Sequence, residues 1–255
     1  MTQPGTRPFV SAVIPAYNEE HGVGRVLGDL PDSVVDEVIV VDNGSTDRTA
    51  CVAREHGARL ASEHRRGDGQ ACLAGIRALN PAADIVVFLD ADYSDDPHEL
   101  PSLLTPILDG QADLVIGSRT LGRREKGALA PQARFGNRLA TSLISRIWGV
   151  AFTDLGPFRA VRRETLRSMD MRDTNYGWTV EMQVKAAILR VKTVEVPVSY
   201  RRRIGKSKIT GTIRGTLGAG MKILATICYY WVGGGHVAGR HAATSRARHK
   251  REPIT

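Results

Sequence analysis

Long hydrophobic runs are what this sequence most plainly lacks. The longest apolar stretch, residues 217–232, is broken by Lys222 and falls short of the roughly 20 residues a helix needs to cross a bilayer. A buried helix is the first expectation for it, a helix lying on a membrane surface the second. Residues 1–9 contain no apolar core of the kind that marks a secretory leader. Cysteine is scarce: Cys51, Cys72 and Cys228 are odd in number and far apart, which excludes a disulfide framework or a zinc knuckle and fits a reducing compartment. The expected location is cytoplasmic, with peripheral attachment to the cytoplasmic face of the membrane as an addition. Aromatic residues make up only 5% of the chain, too few to pave a long polysaccharide groove. Zinc-finger spacing and basic–aromatic alternation are also missing. The formal charge of +8 therefore gives no specific ground for nucleic acid, and anionic or phosphorylated partners are expected instead.

What is present is a core. Hydrophobic residues make up 42% of 255, enough for one large α/β domain. Short apolar runs at 9–14, 37–41, 85–89 and 114–116, with a short strand expected over 58–61, alternate with helical patterns at 19–30, 45–56, 67–79 and 97–108. Ser45 or Thr46 is the expected cap of the second helix, and Pro97 falls in the first turn of the fourth, where its missing N–H is harmless. Strand–helix repetition with apolar strands predicts a mostly parallel sheet with helices on both faces. After Thr120 the pattern changes to a charged, Gly-containing loop, an amphipathic helix at 132–148, a strand at 158–161, a helix at 179–189, a strand at 191–200 and a last helix from about Ile209. The expected organisation is a disordered 1–8, a catalytic domain over 9–215, a helical segment at 216–238 and a basic flexible tail at 239–255. Within the domain, 9–120 forms a nucleotide-binding half and 121–215 an acceptor half.

In such sheets ligands gather at the carboxyl ends of strands. Pro15, Asp42, Asp90 and Gly117 each follow an apolar run directly. Asp90 and Asp92, one residue apart, can both reach a hard divalent cation, Mg²⁺ or Mn²⁺, which prefers oxygen ligands and bridges to phosphate. Asp42 can accept a hydrogen bond from a nucleobase or a ribose. The first strand is followed by Pro15-Ala16-Tyr17-Asn18-Glu19 and not by Gly-x-Gly-x-x-Gly, which speaks against a dinucleotide oxidoreductase. The turn Gly67-Asp68-Gly69 is equally readable as a weak phosphate loop or a plain turn.

Four segments together resemble the inverting family 2 glycosyltransferases of the GT-A fold: Val13-Ile14-Pro15-Ala16-Tyr17-Asn18-Glu19, Val41-Asp42-Asn43-Gly44-Ser45-Thr46-Asp47, Asp90-Ala91-Asp92 and Leu114-Val115-Ile116-Gly117-Ser118-Arg119. Within that family, Tyr200, Arg203, Gly205, Ser207 and Lys208 make the chain most similar to the dolichyl- and polyprenyl-phosphate sugar synthases. The resemblance implies a single GT-A domain that transfers a sugar, with inversion, from a UDP- or GDP-linked donor to a lipid phosphate. It implies that Pro15, Tyr17, Glu19 and Asp42 form the nucleoside pocket and that Asp90 and Asp92 hold the metal against the diphosphate. Ser94 stands where the family often has a further metal ligand. Arg119, Arg134, Arg203 and Lys208 match positions that grip the acceptor phosphate or diphosphate. A lipid phosphate is already an anion and needs no strong base; for an alcohol acceptor, Asp154 and Glu181 are the candidates. The alternatives are a soluble acceptor, a nucleotidyltransferase, or a non-catalytic nucleotide-binding module. No pattern in the sequence sets the number of subunits.

Overall fold

The computed structural model describes residues 7–205 and 213–233. Seven strands form one sheet: β1 (Val10–Ala16), β2 (Glu37–Asp42), β3 (Arg59–Ser62), β4 (Ile85–Phe88), β5 (Leu114–Ser118), β6 (Arg159–Arg162) and β7 (Thr193–Pro197). Their order is β3-β2-β1-β4-β6-β5-β7. All neighbours are parallel except β6, which runs antiparallel between β4 and β5. The expected fold class, a mostly parallel sheet in a single α/β domain covered on both faces, is the one observed.

Alternation along the strands splits the core into two layers. Val13, Ile39, Val41, Val86, Phe88, Leu114 and Ile116 face one side. There they meet α3 (Asp68–Ala78), α5 (Pro131–Trp148), α7 (Trp178–Ile188) and α8 (Ile213–Gly233). Ala12, Ile14, Val40, Ile85, Val87 and Val115 face the other side, under α1 (Val23–Asp29), α2 (Thr49–Glu55) and α4 (Leu100–Leu108). Helix α3 lies so close to β1 that a Cβ on Gly75 would stand 2.3 Å from Val13 Cγ1; only glycine fits that crossing.

Several boundaries differ from expectation for identifiable reasons. The first helix begins at Val23, because residues 17–22 form a turn in which Gly22 lies against the Ala91 carbonyl, 2.5 Å from where a Cβ would be. Neither Ser45 nor Thr46 caps a helix: α2 starts at Thr49, and Ser45 Oγ instead accepts a hydrogen bond from Asn18 N at 3.0 Å. A short helix, α6 (Arg163–Met169), follows β6 without having been foreseen. The predicted start of the last helix near Ile209 lies outside the described residues. Among the described residues, no helix is long and apolar enough to cross a membrane.

Candidate active site

The carboxyl ends of β1, β2 and β4 open into one cavity of about 250 Å³. Two loops on its rim are laced together by short polar side chains. Asp42 Oδ1 accepts from Ser45 N at 3.0 Å, Thr49 Oγ1 from Glu19 N at 2.8 Å, and Asn18 Oδ1 from Thr46 N at 2.8 Å. Asn43 works on the other side: its Nδ2 donates to the carbonyls of Glu63 and Arg65, each at 2.8 Å, and its Oδ1 accepts from Gly67 N at 2.9 Å. Asn43 therefore fixes the turn that opens α3. Each of these side chains satisfies backbone groups that no sheet or helix ladder can reach.

Pro15, Tyr17, Glu19, Asp90, Asp92 and Arg203 line the cavity. Asn43, Arg66, Asp68, Asn175 and Tyr176 line it as well. The guanidinium of Arg66 lies 2.9 Å above the Tyr17 ring. Arg66 carries no sequence signal, and Asn175 reaches the cavity only because the loop before α7 folds back onto the start of α3. Asp42 stands at the rim, its carboxylate engaged by Ser45, and does not itself line the cavity.

The chain reverses sharply just past β4. Tyr93 takes a positive φ of 63°, an uncommon conformation for a residue with a side chain, and Asp92 Oδ1 caps the bend by accepting from Ser94 N at 2.9 Å. A strap from Ser199 to Gly205 crosses this bend. Arg201 N donates to the Ser94 carbonyl at 2.8 Å and Ile204 N to the Asp92 carbonyl at 2.9 Å. Arg203 reaches from the strap to Glu19 at 2.8 Å and to Asp92 Oδ2 at 3.2 Å.

The electrostatics test whether a divalent cation suits the site. Burial, followed by the carboxylates of Asp92, Asp95 and Asp68, pushes the Asp90 carboxyl well above the usual range, with Arg203 as the opposing charge. Asp95 is buried, and among the described residues no hydrogen bond of good geometry reaches its oxygens; burial raises its carboxyl to about 7. Such a concentration of carboxylate is costly in itself and is relieved by a cation. Among the described residues, no group of three or more His, Cys, Asp or Glu side chains forms a ready cage for a metal. A pair of carboxylates that leaves the other positions to phosphate and water matches the habit of Mg²⁺. The donor set fits.

Other expected site residues stand outside the cavity lining. Arg119 is not poised for a phosphate: its Nε and Nη2 bind Asp154 Oδ2 and Oδ1 at 2.7 and 2.8 Å in a buried bidentate pair. Burial works against the charge on Arg119, but the Asp154 bond outweighs it and holds the guanidinium above its ordinary range. Asp154 also accepts from the backbone of Arg119 and Leu155, so it has no free face for an attacking oxygen. Glu181, on α7, is spent in the same way. It accepts from Arg172 N, Asp173 N and Tyr230 Oη and pairs with Lys185 at 2.8 Å. Both carboxylates build the protein and stand outside the cavity lining. Arg134 is exposed in the first turn of α5, away from the lining, and Lys208 lies outside the described residues.

Comparison with known proteins places this geometry. Residues 11–169 match the family model Glycosyl transferase family 2. An uncharacterized glycosyltransferase of Mycobacterium tuberculosis is 39% identical over 210 residues, covering 82% of this chain and 93% of that one. An undecaprenyl-phosphate mannosyltransferase of Micrococcus luteus is 38% identical, over 81% of this chain and 89% of its own. Among solved structures, glucosyl-3-phosphoglycerate synthase from M. tuberculosis, in complex with Mn²⁺, UDP-glucose and phosphoglyceric acid, superposes with a TM-score of 0.72. It is 25% identical, covering 91% of this chain and 86% of that one.

Proposed function

We infer that this chain, which belongs to glycosyl transferase family 2 and is a glycosyltransferase, moves a sugar from a nucleoside-diphosphate donor to an acceptor that carries a phosphate. The observation that carries the reading is the cavity with Asp90 and Asp92 on one wall and Tyr17, Glu19 and Arg203 beside them. Asp90 and Asp92 would hold Mg²⁺ or Mn²⁺, which supplies positive charge to the departing diphosphate. The chain's own part is to position and to screen. Tyr17 and Arg66 supply a flat, cationic surface for the nucleoside, and the strap places the Arg203 fork where negative charge develops. Holding donor and acceptor in line contributes on the order of 7–11 kcal/mol to lowering the barrier.

Two acceptor classes divide the relatives. The solved likeness with phosphoglyceric acid favours a small soluble phosphorylated acceptor, and this has the better structural support. A polyprenyl phosphate is the second reading. It is favoured by the M. luteus relative and by α8, whose outer face shows Met221, Leu224, Tyr229, Trp231 and Val232 to solvent. With that reading goes contact of α8 with a membrane surface.

The test is a transfer screen of UDP- and GDP-sugars with Mn²⁺ or Mg²⁺. One arm uses 3-phosphoglycerate, the other undecaprenyl phosphate in vesicles with sedimentation of bound protein. Asp92→Ala should lower turnover by at least about 100-fold; an unchanged rate removes the metal reading. Product configuration by NMR reads out the inversion implied by the family resemblance.

A further inference from the structure

Asp68 is the one carboxylate in the cavity without an assigned task. It is the first residue of α3, held between Gly67 and Gly69. Gly67 has φ +145°, and a Cβ there would meet the Thr174 carbonyl at 2.2 Å; a Cβ on Gly69 would meet the Asp173 carbonyl at 2.1 Å. Gln70 N donates to Thr174 O at 3.0 Å and locks the same contact. The loop at 173–175 thus presses on the turn from both sides of Asp68, and the side chain that remains lines the cavity beside Asp90, Asn175 and Tyr176.

Asp42, Asp47, Asp92, Asp154 and Asp173 each accept hydrogen bonds from the protein; Asp95 does not, but it stands outside the cavity lining. Asp68 accepts none from any described residue, although it lies close enough to Asp90 for the two to repel. Arg159, the nearby cation, spends its guanidinium on the carbonyls of Gly156 and Thr179 at 3.0 and 3.1 Å. An acceptor-only group in this setting repels phosphate and lacks a partner that donates a proton. The groups flanking a diphosphate in a sugar donor, the ribose on one side and the transferred sugar on the other, both carry hydroxyls.

We propose that the Asp68 carboxylate binds a hydroxyl of the sugar-nucleotide donor and so takes part in donor selection. This rests on the cavity being the donor site, as argued above. The shared chemistry is a hydroxyl donating to a carboxylate, a charge-assisted bond, and the ligand pairs in the test separate ribose from sugar.

The experiment is calorimetric titration of the full chain with UDP-glucose, UDP, GDP-mannose and GDP, each with Mn²⁺, and with Mn²⁺ alone. Wild type is compared with Asp68→Asn and Asp68→Ala. Both variants should bind the nucleotide sugar about 10- to 100-fold more weakly, with melting in the absence of ligand unchanged or higher and affinity for Mn²⁺ alone changed by less than about threefold. Loss confined to the nucleotide sugar assigns the hydroxyl to the transferred sugar; equal loss with the bare nucleotide assigns it to the ribose. Nucleotide-sugar binding altered less than twofold, or strengthened, overturns the proposal. So does an affinity for Mn²⁺ alone weakened as much as that for the nucleotide sugar, which would make Asp68 a cation ligand. If the wild type itself binds none of the four nucleotides, the donor site is refuted first and this assignment falls with it.

Discussion

Replacing Asp154 with Asn separates a structural ion pair from a chemical base. The carboxylate is fully buried and accepts four hydrogen bonds: Arg119 N and Nε to Oδ2, each at 2.7 Å, and Arg119 Nη2 and Leu155 N to Oδ1, each at 2.8 Å. Asparagine has one acceptor oxygen and must turn an amide N–H₂ toward a donor, leaving the Arg119 cation unpaired in a low-dielectric setting. Breaking a buried pair in this way costs about 3–5 kcal/mol. For a chain of this size each kcal/mol moves the melting temperature by about 2–4 °C, so Asp154→Asn should melt about 6–20 °C lower. Urea unfolding gives the free energy, and activity is assayed well below the melting point. The Arg119→Met, Asp154→Leu double variant should recover part of the stability, because an apolar pair of similar volume leaves no unpaired buried charge, although the backbone N–H of residue 119 loses its acceptor. A melting temperature within 2 °C of wild type, together with a kcat loss of about 100-fold or more, the scale of a lost general base, would refute the structural assignment and return Asp154 to the chemistry.

Two further outcomes follow from the charges around the cavity. Asp95 holds its proton up to about pH 7 in the native protein but releases it near 4 when unfolded. The native state is therefore the more protonated between those values, and stability without metal falls as pH rises through that window. Asp95→Asn should lessen this slope, which Asp68 and Asp90 share, and be more stable than wild type at pH 8 by about 1–3 kcal/mol; denaturant curves at pH 5 and pH 8 in EDTA check it, and an unchanged slope rejects it. Arg203 is the counter-charge of Glu19 and Asp92 in the free protein, so Arg203→Gln should bind Mn²⁺ alone more tightly, by about tenfold, yet bind nucleotide with Mn²⁺ more weakly. Changes in the same direction, measured by Mn²⁺ titration with and without UDP, would contradict that role.

The strand ends and their acidic residues were legible because they depend on short-range order. An apolar β-branched run must end somewhere, and Pro15, Asp42 and Asp90 stand where those runs end. Whether a charged side chain faces the cavity or the interior is settled by residues far away in the chain. Arg119 and Asp154 are 35 residues apart and pair because β6 runs antiparallel between β4 and β5, an insertion that no local pattern announces. Tyr230 likewise reaches Glu181 only once α8 has packed on α7, whereas the pair of Glu181 with Lys185 lies within α7 itself. Asn43 anchors the start of α3 through residues 20 to 24 positions away. Sequence alone therefore determined the α/β architecture, the edge of the sheet that carries the site and the acidic pair on it, since periodicity and turn chemistry act between near neighbours. The tertiary structure decided which charges are spent on one another and which remain for a ligand, because ion pairing depends on distance in space and on the water excluded around it.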